Sequence, residues 1–164
     1  MVKHKLLYIY IFVALAVILC TNLIACKKSN ISNTYEEQKN EVYSFFEQNH
    51  NTLNTIKDTV YEEKNKIVNI SEDGYFITND SQKIWMDSIS NDIKNLYDKY
   101  QNEDVIFNIC PHSSSSDLII SIEFYFHNTG IMYTISYSET DLTATDRRYY
   151  RLDTDWYYKA MGMV

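Results

Sequence analysis

The sequence predicts an α+β fold, with two helices packed on one face of a four- to five-stranded antiparallel sheet. Three observations predict it. Two long segments without glycine or proline, 34–64 and 79–102, carry apolar residues at three- and four-residue steps, the period of a helix with one buried stripe. Residues 117–138 alternate apolar and polar side chains on either side of a turn, the period of a half-buried strand pair. Each helix offers a single apolar stripe and the sheet one strongly apolar face, so these surfaces must cover one another.

The first element is not part of that fold. "MVKHKLLYIYIFVALAVILC" places Lys3 and Lys5 before an uncharged run from Leu6 to Cys20, and "TNLIAC" follows. A positive start, an apolar stretch and a small residue before a cut describe a secretory leader. The box "LIAC" (23–26) resembles the lipobox of bacterial lipoproteins. That resemblance implies a diacylglyceryl group on the Cys26 sulfur and cleavage between Ala25 and Cys26. It implies a chain anchored in the cell membrane on its extracytoplasmic face. Two acyl chains anchor stably where one is marginal. A retained transmembrane helix is the competing reading, since Leu6 to Ala25 is 20 residues and a span needs about 20. Thr21 and Asn22 weaken it. Either way the rest of the chain lies on the same side of the membrane. The expected organisation is a leader over 1–25, a lipidated tether over 26–33 and a single α+β domain over 34–164.

The tether "KKSNISN" has no period. Thr34 to Lys64 reads as the first helix, with Val42, Phe45, Phe46, Leu53, Ile56 and Val60 on its inner stripe. "KIVNISEDGYFIT" (66–78) reads as one or two short strands about an "EDG" turn, where Gly74 is free to take a positive φ. The second helix is expected over 79–102, capped by Asn79, Asp80 or Ser81, with Trp85, Ile89, Ile93, Leu96 and Tyr100 on one face. Five strands follow as a meander: "DVIFNIC", "DLIISIEFYF", "IMYTISYS", "RRYYRL" and "WYYKAMG", with "HNTG" and "DTD" as turns. Cystatin-like and other small helix-on-sheet folds are the nearest analogies.

Charge and cysteine content exclude some functions. The chain has 15 Lys plus Arg against 22 Asp plus Glu, and loss of Lys3 and Lys5 with the leader leaves 13 against 22. A net charge of −9 does not suit nucleic acid, which selects a basic stripe. Of the 3 cysteines, Cys20 leaves with the leader and Cys26 takes lipid. Only Cys110 remains, so no disulfide forms within the chain and the apolar core must stabilise the fold alone. Cys110 is expected to be a buried, inert thiol.

No motif names a reaction, a cofactor or a metal. "CPHSSSSD" (110–117) sets His112 two residues after Cys110, but the stretch reads as a flexible loop, in which that spacing does not ensure contact. His50, His112 and His127 lack the i, i+4 spacing of a helical metal site. "DTD" and "TDLTATD" lack the glycine and final glutamate of a calcium loop. The surplus of aromatics stands out instead. Tyr149, Tyr150, Arg151, Trp156, Tyr157 and Tyr158 crowd the last hairpin, and Tyr, Trp and Arg anchor interfaces. They form the candidate binding face, the plain alternative being aromatics that only shield the sheet. The closing "DWYYKAM" resembles the tyrosine-rich ends of small bacterial lipoproteins, a likeness that carries no activity. The function expected is a membrane-anchored binding or accessory module for an extracellular protein or envelope glycan. A cell-envelope hydrolase with an unrecognised site and an immunity-type protective lipoprotein are the alternatives.

Overall fold

The structure, a computed structural model, describes residues 34–63, 66–113 and 117–162. The leader, Cys26 and the tether lie outside the described residues. The chain divides into two units, Met1–Asn40 and Glu41–Val164. In the first, residues 34–40 are helical. The second carries everything that follows.

Residues 41–62 form helix α1. Its stripe is the one the periodicity predicts: Val42, Phe45, Phe46, Leu53, Ile56 and Val60 are all buried. Three short strands come next: β1 (Ile67–Ile70), β2 (Phe76–Thr78) and β3 (Lys83–Ile84), an antiparallel sheet in that order. The β1–β2 turn places Gly74 at φ +84°, where a side chain is strained.

Helix α2 (Ser90–Tyr100) is shorter than the predicted 79–102. The capping candidates serve a turn instead. Asn79 and Asp80 join β2 to β3, Ser81 takes φ 64°, and the Thr78 hydroxyl accepts from Gln82 N at 3.0 Å. Asn, Asp and Ser favour such turns for the reason they favour caps: their side chains bond nearby backbone. Trp85, expected on the helix face, lies outside the helix and is 37% exposed.

The second sheet has five antiparallel strands: β4 (Val105–Ser113), β5 (Leu118–Phe126), β6 (Ile131–Ser138), β7 (Tyr149–Arg151) and β8 (Trp156–Gly162). The α+β class and this sheet agree with the sequence. β5 shows the alternation predicted, every second residue from Leu118 to Phe126 being buried. The meander does not hold at its end, because the order is β4-β5-β6-β8-β7. The connection from β6 to β7 contains a one-turn helix, α3 (Leu142–Thr145), and carries the chain past the place beside β6 that β8 takes. β7 is therefore the outer edge.

The helices meet the sheet through rings. Phe45 of α1 lies 5.6 Å from Phe107 and 4.9 Å from Phe124, edge to face. α2 reaches the sheet at its β4 edge, where Tyr97 meets Phe107 at 5.1 Å. That edge is sealed from the α2 side: Gln101 Oε1 accepts from Phe107 N at 2.7 Å, and the Tyr97 hydroxyl accepts from Ile109 N at 3.0 Å. The core face carries Ile120, Ile122, Phe124, Tyr133 and Ile135, all fully buried.

Candidate functional site

The six residues of the expected binding face separate in the structure. Cross-strand register places Trp156 with Tyr137 and Tyr158 with Ile135, on the core side of the sheet. Tyr157 pairs with Ser136 on the opposite, outer face. All three are nonetheless buried, at 3%, 1% and 3% exposure. Tyr158 packs against Tyr43 of α1, and Trp156 donates through Nε1 to Asn54 Oδ1 at 3.1 Å. The rings of Trp156, Tyr157 and Tyr158 thus belong to the interior. What remains at the surface is β7: Tyr150 is 61% exposed, Arg151 is exposed and Tyr149 is half-buried.

The connection between β6 and β7 explains why Tyr157 is hidden. Asp146, just after α3, accepts from Lys159 Nζ at 2.8 Å, and Lys159 stands on the outer face beside Thr134. Asp141 pairs with Arg151 at 2.8 Å, and the Arg151 guanidinium lies 5.3 Å from the Tyr157 ring centre. The segment therefore folds over the β8–β7 end of that face. Bonds from Arg148, then from Lys159, hold the Asp146 carboxyl well below the usual carboxylate range. The predicted turn chemistry of "TDLTATD" is present, with Asp141 capping α3 by accepting from Thr143 N at 3.0 Å.

At the other end of the outer face, β4 runs on through "CPHS", beyond the strand end that the sequence predicts at Cys110. Proline argues against a central strand, but β4 is an edge of its sheet, where proline is tolerated. Because the strand continues, Cys110 and His112 share one face. Glu123, opposite Asn108 on β5, shares it too. The Cys110 sulfur, an imidazole nitrogen of His112 and a carboxylate oxygen of Glu123 all lie within 4.8 Å of one another. Cys110, expected to be buried, is half-buried on this face. Its thiol donates to Glu123 Oε2 at 3.8 Å. Burial first, then the Glu123 charge, pushes the thiol pKa up to about 11. It is therefore protonated at neutral pH and is not an activated nucleophile. Helical i, i+4 spacing fails to find this cluster. The available sequence signal was i, i+2 spacing on a strand, joined to an acid on the neighbouring strand.

A groove of about 340 Å³ lies elsewhere, lined by Glu72, Asp73, Tyr97, Asp98 and Gln101. Burial pushes the Tyr97 hydroxyl up to about 12, so it stays protonated and keeps its structural hydrogen bonds. Among the described residues, no helix is long and apolar enough to cross a membrane. No protein-family model matches the chain, and neither curated proteins nor solved structures give a match.

Proposed function

We propose that this protein is a lipid-anchored binding module on the extracytoplasmic face of the cell membrane, which contacts an envelope glycan or protein through its β7 edge. The anchor follows from the "LIAC" box at 23–26. The observation that carries the contact is Tyr150, the most exposed of the large hydrophobic side chains described, standing on the edge strand on the side of Tyr158, with Arg151 turned to the opposite face. An exposed aromatic ring on a sheet edge suits a sugar ring or a peptide. In this reading both helices cover the other parts of the sheet's core face, so β7 is the part left to a partner.

Two measurements test it on the full chain expressed in a bacterium. Mass spectrometry of the membrane fraction should show a diacylglyceryl-modified Cys26 at the amino terminus, and Cys26→Ser should release the protein from membranes. An intact leader with an unmodified sulfur would overturn the anchor. Cosedimentation with isolated peptidoglycan, and with envelope protein stripped of it, should then show binding. Tyr150→Ala should weaken that binding roughly 10- to 30-fold, the loss expected of an interface anchor. Unchanged binding by Tyr150→Ala, or none to either preparation, would remove the β7 edge as the contact.

A further inference from the structure

The outer face of the five-stranded sheet carries a second constellation, independent of the β7 edge. We propose that Cys110, His112 and Glu123 form a site for a divalent cation of the zinc class, with sulfur, nitrogen and oxygen as protein ligands and at least one coordination position open to solvent.

The donor set comes first. A thiolate, an imidazole and a carboxylate together suit a borderline ion, whereas magnesium and calcium select oxygen alone. Geometry comes second. Zinc bonds of about 2.0–2.3 Å place tetrahedral donors roughly 3.3–3.8 Å apart. The Cys110 sulfur and Glu123 Oε2 already stand at 3.8 Å, and all three donor atoms lie within 4.8 Å. Small side-chain rotations close the rest. The backbone under them is continuously paired: β4 and β5 run without a register break from Val105↔Phe126 to Ser113↔Leu118. Ligands on paired strands are more precisely held than ligands on loops.

The surroundings supply a further observation. Thr134 lies directly across from Glu123 on β6, on the same face. Its hydroxyl is buried, the residue being 5% exposed, and has no hydrogen-bond partner among the described residues. Buried hydroxyls are normally paired, so this face holds an unsatisfied hydroxyl on the residue that pairs with Glu123 across β5 and β6. Lys159, on the other side of Thr134, is the nearest cation in register, and Asp146 holds and neutralises it. His112 is exposed while Cys110 and Glu123 are half-buried, so an ion has an entry path from solvent. Three protein ligands with an open fourth position is the pattern of exchangeable or reactive zinc, not of a closed structural site. Binding replaces the thiol proton, which leaves to solvent, by the metal–sulfur bond.

The test is titration of the purified full chain, reduced and in detergent, with zinc sulfate by calorimetry, and in parallel with cobalt(II). One zinc per chain should bind. Cobalt should give tetrahedral d–d absorption together with a near-ultraviolet thiolate charge-transfer band. Cys110→Ser should abolish the charge-transfer band. His112→Ala should weaken zinc at least tenfold without altering the far-ultraviolet circular dichroism, since His112 is exposed and packs nothing into the core. Glu123→Gln should weaken it similarly. Magnesium should give no heat. Overturning results are no zinc binding by the folded protein, a cobalt spectrum without the charge-transfer band, an affinity unchanged in His112→Ala, or one ion shared between two chains.

Discussion

At Gly74 two constraints meet in one residue. Its φ of +84° lies where L side chains are strained, and a Cβ built there would sit 2.2 Å from the Ser90 carbonyl oxygen. Ser90 begins α2 and is fully buried, with its hydroxyl accepting from Met86 N at 2.9 Å. It cannot shift to make room without moving the start of the helix. Gly74→Ala should therefore lower stability by about 2 kcal/mol or more, read as a shift in the urea midpoint. A change within about 0.5 kcal/mol, the range of an ordinary surface site, would show that the turn relaxes freely. The "EDG" triplet announces the turn and the need for positive φ. The close approach of Ser90 is a tertiary fact with no sequence trace. Trp85 makes the same point in reverse. Its spacing to Ile89 suits a helical stripe, yet it donates to Asp87 Oδ1 at 2.8 Å and meets the Tyr75 ring edge to face at 5.1 Å outside any helix.

Among the elements, β4 shows how an edge strand is kept from pairing with other chains. Exposed edges invite association unless something covers them. Here Tyr97 bridges two strands through one oxygen, accepting from Ile109 N at 3.0 Å and donating to Ile70 O at 3.4 Å. Tyr97→Phe removes that oxygen and leaves the Ile109 N–H buried without its acceptor. The expected loss is about 1–3 kcal/mol in equilibrium unfolding. A fall below about 0.5 kcal/mol would mean that water reaches the edge, contrary to the seal described. Sequence periodicity recovers the stripe of α1 and the alternation of β5, because both patterns follow from side-chain geometry along one element. It misses the length of α2 and the continuation of β4 through Pro111. Both depend on neighbours: the β2–β3 turn claims the capping residues in the first case, and the edge position tolerates proline in the second.

Within the second unit as a whole, the connection carrying α3 decides which surfaces are available. Asp146 ties it to Lys159 on the outer face, and its carboxyl is held below the ordinary carboxylate range, chiefly by Arg148 and then by Lys159. For a group whose folded pKa is depressed, the stability it contributes is present above the unfolded value, about 3.9. That contribution is lost as pH falls through the folded value. Stability should therefore decline as pH drops below about 4. In Asp146→Asn that part of the decline should be missing, read by thermal melts across pH 2.5–6 (~0.5-unit steps) against the parent chain. Identical slopes in the two proteins would show that Asp146 titrates alike folded and unfolded. By itself the sequence determined the α+β class, the buried stripe of α1, the face alternation of β5 and the "EDG" and "HNTG" turns. All of these follow from local geometry and solvent exclusion along one element. Only the tertiary structure decided that β8 lies inside β7, that Trp156, Tyr157 and Tyr158 are interior, and that Cys110, His112 and Glu123 meet. Strand order and cross-strand register set these, and both arise from contacts between residues far apart in the chain.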